Sequence, residues 1–382
     1  MQVDNDLRYG FGKNWSDFVK KNFSQERVSS SQKDLLDFLK LDSLVDKTFL
    51  DIGCGSGLHS LAAYRSGAKK IVSFDYDINS VNTTKFLREN EGNPANWEVL
   101  QGSVLDKEFM EKLPKFDIVY SWGVLHHTGD MWQAIQNATI PLKETALFFI
   151  ALYTWDSQVS PTAEFWLDIK KKYNKASALG KFMYEVWYYN RFCLIPDLKN
   201  KTNPLKRFQN YKNDRGMALW TDIKDWLGGW PMEYVKIMDL QKYASEKMDF
   251  ELLNMTSYKA NGEFLFQKRQ FLNPYWSNVI SKQKIIEIKK PFQPWNGKAW
   301  FFDFPEAINE ADSTQSTMVS PYVLYEDQYR LPIGHAGHLE IINFGNGRYS
   351  HWSDKLYFST SDNSDPNTNG RTYTLRRFDN QK

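Results

Sequence analysis

The chain lacks the residues that would place it in several familiar classes. Cysteine is nearly absent: only Cys54 and Cys193 occur among 382 residues. No disulfide framework can be built from two, and a reducing compartment, the cytoplasm, is expected. Long apolar runs are missing too. The longest, Ala146–Tyr153, falls far short of the ~20 residues that a membrane-spanning helix needs. The first ten residues carry charge and no apolar stretch, so no secretory signal is expected. Neither charge sign dominates: 48 Lys and Arg against 46 Asp and Glu leave +2. Such a balance offers no basic field to recommend a nucleic-acid partner. Metal-ligand spacing is lacking as well. His335, His338 and His351 form no paired zinc pattern. Asp365-Pro-Asn-Thr-Asn-Gly370 matches the front half of a calcium loop, but Arg376 stands where the bidentate Glu belongs. The expectation is a solvated turn and no metal. No internal repeat or long low-complexity segment is visible.

Aromatic residues, by contrast, are plentiful at 16%, including 14 Trp, within a hydrophobic content of 42%. That is ample for a core, and it suggests flat surfaces for an organic substrate. The pattern centres on residues 49–57, Phe-Leu-Asp-Ile-Gly-Cys-Gly-Ser-Gly. Phe49, Leu50 and Ile52 frame Asp51 and lead into Gly53, Gly55 and Gly57. A short buried strand, a glycine turn and a helix over about Leu58–Ser66 fit this run. A second strand, Lys70–Phe74, ends at Asp75. A carboxylate about 20 residues past the glycines can accept both hydroxyls of a ribose. Further strands fall near 97–101, 116–121 and 145–152, alternating with helices, which argues for a parallel sheet covered on both faces. Their ends carry Gly102-Ser103-Val104-Leu105-Asp106 and Trp122-Gly-Val-Leu-His126-His127. Ligands of such sheets bind beyond the carboxyl ends of the strands.

These motifs resemble those of class I S-adenosylmethionine (SAM) methyltransferases, and the resemblance spans residues of about 10–269. The closest likeness is to bacterial small-molecule enzymes of the ubiquinone-methylase type, some of them associated with surface-glycan assembly. Nicotinamide enzymes use a different glycine spacing. The resemblance implies SAM as cofactor, with Asp51, Gly53, Gly55, Gly57, Asp75, Ser103, Val104 and Trp122 as its contacts. Asp106 would order the adenine loop. It further implies a methyl transfer in which His127 or His126 removes the acceptor's proton, a task suited to a neutral histidine. Adjacent histidines on a helix lie about 100° apart, so both are not expected in one pocket. Tyr153, Asp156 and Trp226 are candidates for holding the substrate.

The expected fold is α/β: a Rossmann-like, seven-stranded methyltransferase sheet with a helical lid insertion and a small C-terminal β-rich domain. Residues 1–47 form an N-terminal helical flap, with Lys13 or Trp15 near the cofactor. Ser30 or Ser31 caps a helix over Gln32–Leu39. Residues 48–152 form the SAM-binding core and 153–247 the aromatic lid. That lid is helical over 162–190 and breaks into turns at Asp225–Pro231. Residues 248–269 form a closing hairpin and 270–382 the β-rich domain, whose strands include His338–Ile342. The expected activity is methylation of a small-molecule hydroxyl on a sugar or glycan precursor. Two alternatives remain: a quinone-like or other aromatic acceptor, and a glycan-binding protein with a regulatory SAM fold.

Overall fold

The computed structural model describes residues 9–10, 12, 24–204, 206–207, 219–258 and 261–378. Lys13 and Trp15, and so most of the expected flap, lie outside them.

Seven strands form one mixed sheet: β1 (Thr48–Ile52), β2 (Lys70–Asp75), β3 (Trp97–Gln101), β4 (Phe116–Trp122), β5 (Leu142–Tyr153), β6 (Phe250–Tyr258) and β7 (Asn261–Lys268). Their order is β3-β2-β1-β4-β5-β7-β6. β1 pairs in parallel with β2 and β4, β2 with β3, and β4 with β5. This is the Rossmann-like, seven-stranded arrangement expected from the sequence. β1, β2 and β4 read as largely apolar runs because helices cover both faces, and Phe49, Leu50, Ile71, Val72 and Val119 are fully shielded from solvent.

The first described helix runs Gln25–Leu39, longer than expected, and its cap is Ser24 rather than Ser30 or Ser31. The Ser24 side chain accepts from the Arg27 amide, one of the donors that a helix start leaves without a partner. The lid region is helical over Ala163–Lys175 and Ala178–Tyr189. A further helix, Leu219–Gly228, includes Asp225–Gly228, where turns were expected. Paired glycines argued for a break there. Instead Leu227 and Gly228 are buried within the helix, and packing overrides the propensity.

The chain divides into two compact units. The first comprises residues 1–153, 161–234 and 263–266; the second comprises 154–160, 235–262 and 267–382. The second unit is therefore not confined to residues beyond 270. Its β-rich part holds strands β8 (Lys284–Ile288), β9 (Gln293–Asn296), β10 (Ala299–Asp303), β11 (Tyr322–Glu326), β12 (Tyr329–Arg330), β13 (Tyr349–Trp352), β14 (Lys355–Phe358) and β15 (Tyr373–Arg377). They form two four-stranded sheets, β13-β14-β10-β9 and β12-β11-β15-β8, around a core that includes Phe292, Phe304, Leu324, Leu356, Phe358 and Tyr373. Helices occur here too: Pro274–Ser281, capped by Asn273, and His338–Asn343. The latter corrects the strand expected at His338–Ile342. Alternating Leu339 and Ile341 suggested a strand, but Leu339 is 72% exposed while Ile341 is buried. The Glu340 carboxylate reaches back to the Gly337 amide and starts the helix. The Asp365–Gly370 segment is a turn in which Asn367 brackets Phe292, accepting from its amide and donating to its carbonyl. Among the described residues no helix is long and apolar enough to cross a membrane.

Candidate active site

The glycine turn hangs from the end of β2. The Gly53 and Cys54 amides both donate to the Phe74 carbonyl, at 2.8 and 3.0 Å. Gly53, Gly55 and Gly57 all take positive φ, 75°, 52° and 77°, a backbone region that side chains disfavour. A Cβ at Gly53 would lie 2.4 Å from Val124, and one at Gly57 2.9 Å from Thr84. Asp51 does not face the cleft. It is 2% exposed, and its carboxylate accepts from the Ser60 hydroxyl at 2.5 Å. Ser60 lies 2.7 Å from Ser73, which takes the Trp97 indole N–H at 2.9 Å. Burial pushes Asp51 up to about 7. Its role is to brace the turn from behind. Cys54 is buried, with the Thr84 hydroxyl donating to its sulfur.

Asp75 stands at the end of β2 and accepts from the Gly55 amide at 3.0 Å and the Asp77 amide at 2.8 Å. Burial raises it to about 6, against the pull of those amides. Beside it opens a cleft of about 590 Å³ lined by Tyr9, Gly10, Tyr76, Ile78, Gln101 and Ser103, among others. That volume lies within the range of ligand pockets. Tyr76 and Ile78 are exposed at its edge. The Ser103 hydroxyl accepts from the Leu105 amide, and Asp106 caps the helix Lys107–Lys112. Val104 is buried, its carbonyl held by Asn137.

After β4 the chain makes a 3₁₀ turn at Leu125–His127. Trp122 is half-exposed and donates to Glu263. The two histidine rings lie 4.4 Å apart, and both meet Tyr153, at 4.5 Å for His126 and 5.9 Å for His127. The expectation that they diverge is not met here: both rings reach Tyr153 from the same turn. His126 is buried, with neither ring nitrogen hydrogen-bonded, and burial holds its pKa well below the ordinary value. His127 lies 2.7 Å through Nδ1 from the Pro231 carbonyl. A carbonyl only accepts, so Nδ1 carries the proton and Nε2 keeps its lone pair in the neutral ring. Residues 231–233 strap this turn in place. The Glu233 amide donates to the His126 carbonyl, and the Glu233 carboxylate accepts from the Met131 amide.

Tyr153 also packs against Trp226 at 5.7 Å and Tyr234 at 6.0 Å. Behind Trp226, Lys170 is 1% exposed. Its ammonium donates to the Trp226 carbonyl and lies 4.3 Å from the Trp226 ring centre. Burial pulls its pKa down to about 7. His126, His127, Tyr153 and Trp226 are thus brought together. Asp156 belongs to the second unit, where it is 8% exposed and accepts from the Ile237 amide at 2.8 Å. That corrects its reading as a substrate contact, because a shielded carboxylate already holding the backbone is not open to a ligand.

No sequence motif marks His59, Tyr76, Lys170 or Tyr234. His59 follows the glycine turn and packs against Tyr120 at 5.1 Å, and burial lowers its pKa to about 4. Tyr76 was findable as the aromatic neighbour of Asp75. Lys170 was hidden in the run Lys170-Lys171-Lys172, which reads as a solvated face.

A family model described as a methyltransferase domain matches residues 44–224. A tRNA U34 carboxymethyltransferase from Actinobacillus pleuropneumoniae is 37% identical over 87 residues, 23% of this chain and 26% of that protein. A ubiquinone biosynthesis O-methyltransferase from Pelagibacter ubique is 26% identical over 134 residues, covering 34% and 53%. The chain thus spans about a quarter of the length of the first of these relatives. Among solved structures, PKMT2 from Rickettsia typhi, in complex with AdoHcy, is similar at TM-score 0.43 and 13% identity, over 68% of this chain and 58% of that one. The magnesium protoporphyrin IX methyltransferase of Synechocystis, with bound SAH, is similar at 0.38 and 14%, over 66% and 92%.

Proposed function

We propose that this chain, which carries a class I SAM-dependent methyltransferase domain, moves the methyl group of SAM to a hydroxyl of a small organic acceptor, a sugar or glycan precursor. The residues at the strand ends suit the cofactor. Asp75 would accept the ribose hydroxyls, and the positive-φ turn at Gly53–Gly57 leaves backbone free to approach the amino-acid portion. Tyr76 and Ile78 offer apolar faces to the adenine, with Gln101 and Ser103 as polar partners. SAM supplies a methyl group already activated by its sulfonium.

What remains for the protein is alignment and proton removal. The observation that carries this reading is the His127–Pro231 bond. With Nδ1 held by Pro231, His127 would take the hydroxyl proton through Nε2, while SAM, when bound, would supply the methyl group. His126, kept neutral by burial 4.4 Å away, adds no opposing charge when His127 becomes cationic. Tyr153 and Trp226 supply flat faces on which a sugar ring stacks.

The test is methyl-labelled SAM incubated with the protein and fractionated cell extract, the label located by mass spectrometry. Label in a saccharide or nucleotide-sugar fraction supports the sugar acceptor. Label in a quinone or lipid fraction replaces it with an aromatic acceptor.

A further inference from the structure

One helical rod carries its apolar side outward. The helix Ala178–Tyr189 continues through a π turn, Asn190–Leu194, into Ile195–Lys199, about 30 Å of rod at 1.5 Å per residue. Leu179 is 70% exposed, Phe182 54%, Met183 64%, Ile195 41% and Leu198 61%. Leu179, Phe182 and Met183 are spaced i, i+3, i+4, which makes them one face. Val186 and Leu194, half-buried, bridge them to Ile195 and Leu198 across the π turn. The opposite side is packed: Glu185, Cys193 and Asp197 are buried. Exposed Phe165 lies 6.2 Å from half-buried Trp187 at the edge of the stripe. Soluble proteins seldom leave so continuous an apolar surface in water without a partner for it.

The charges choose the partner. Residues 178–201 hold four basic side chains, Lys181, Arg191, Lys199 and Lys201, and two acidic ones, Glu185 and Asp197. Neither acid faces water. Glu185 takes the Tyr173 hydroxyl and the Trp220 indole N–H, and Asp197 pairs with Arg207. Arg191, Lys199 and Lys201 are exposed. Among residues 178–201, the fully exposed charged side chains that border the apolar stripe are therefore cations. A second copy of the chain meeting this face would bring its own cations against them. An anionic lipid headgroup layer over an acyl boundary matches both features.

We propose that this rod lies in the interface of an anionic membrane, with Leu179, Phe182, Met183, Ile195 and Leu198 entering the acyl boundary and Arg191, Lys199 and Lys201 on the headgroups. This proposal stands apart from the methyl-transfer reading. The test is flotation of the full-length protein with vesicles of phosphatidylcholine alone or of phosphatidylcholine with phosphatidylglycerol. The wild type floats with the anionic vesicles, less so at high salt. The double variant Phe182→Ser/Met183→Ser lowers partitioning at least about tenfold, with its circular-dichroism melt unchanged because both residues are exposed. Lys199→Gln/Lys201→Gln lowers partitioning on anionic vesicles only. The proposal fails if the wild type stays unbound on both vesicles, or if the serine variant floats as well as the wild type. It also fails if ultracentrifugation finds a dimer that the serine variant dissolves while no vesicle binding occurs.

Discussion

Asp75 accepts two backbone amides and is held near a pKa of about 6 by burial. To accept both ribose hydroxyls it must be ionised, and it protonates as pH falls below that value. SAM affinity, measured calorimetrically, should therefore decline as pH drops below about 6. Asp75→Asn should bind SAM at least about tenfold more weakly at pH 7, since a hydrogen bond to a charged group contributes about 1.5–3 kcal/mol. The variant should also lose the pH dependence. Affinity that is unchanged in Asp75→Asn means the ribose lies elsewhere. His127→Gln belongs to the same scale. It should reduce turnover by about 10²–10⁴-fold with SAM affinity kept, because the ring acts on the acceptor's proton and not on the cofactor. Equal turnover in the two proteins would end His127's part as base. Asp75 and the glycines were legible from sequence because backbone sterics demand glycine there and a strand end projects its side chain. The proposed choice of His127 over His126 was not. It draws on the bond to Pro231, 104 residues away in the chain, and no local pattern encodes such a partner.

At the scale of elements, the strap 231–233 and the helices Ala163–Lys175 and Leu219–Gly228 hold the aromatic side of the site, and Lys170 is the buried cation between the two helices. Burial lowers its folded pKa to about 7 from its ordinary value of 10.5. Between those values the unfolded chain holds the proton and the folded chain does not, so this group's contribution to stability rises with pH through the window. Below about 7 the charged form is buried and the contribution is at its least. Comparing denaturant unfolding of the wild type with Lys170→Met isolates the group. The stability difference, wild type minus variant, should increase by about 1.4 kcal/mol per pH unit above pH 7. A flat difference would mean that Lys170 keeps its ordinary pKa. The central strands β1, β2 and β4 were readable because a doubly covered parallel strand is largely apolar, whereas the edge strand β3 alternates buried and exposed residues. The helices Leu219–Gly228 and His338–Asn343 were not: paired glycines and a two-residue alternation pointed locally to turn and strand, and burial of Leu227 and Ile341 decided otherwise.

At the scale of the whole chain, the second unit threads back through the sequence. Residues 154–160 and 235–262 belong with 267–382, an interleaving that composition could not reveal, since the change in texture near 270 reflects loss of helical periodicity and not the limit of packing. Within this unit Arg348 donates to the Asp156 carbonyl, Gln241 exchanges two hydrogen bonds with the Arg330 backbone, and Ser257 donates to the Pro332 carbonyl. Gln241 is 5% exposed. A chain ended at residue 269 keeps one half of each pair and loses the other. Cutting there removes these hydrogen bonds, each contributing about 0.5–1.5 kcal/mol net, and opens their apolar neighbours to water at about 25 cal/mol per Å², losses to be set against the ~5–15 kcal/mol that holds a domain folded. Residues 1–269 alone, though they contain all seven strands of the sheet, should therefore fail to give a cooperative melt or should aggregate, while the full chain unfolds cooperatively. Should the fragment remain monomeric and bind SAM as the full chain does, the second unit would be an appendage, and the backbone links from 154–160 and 235–262 would contribute little to the fold.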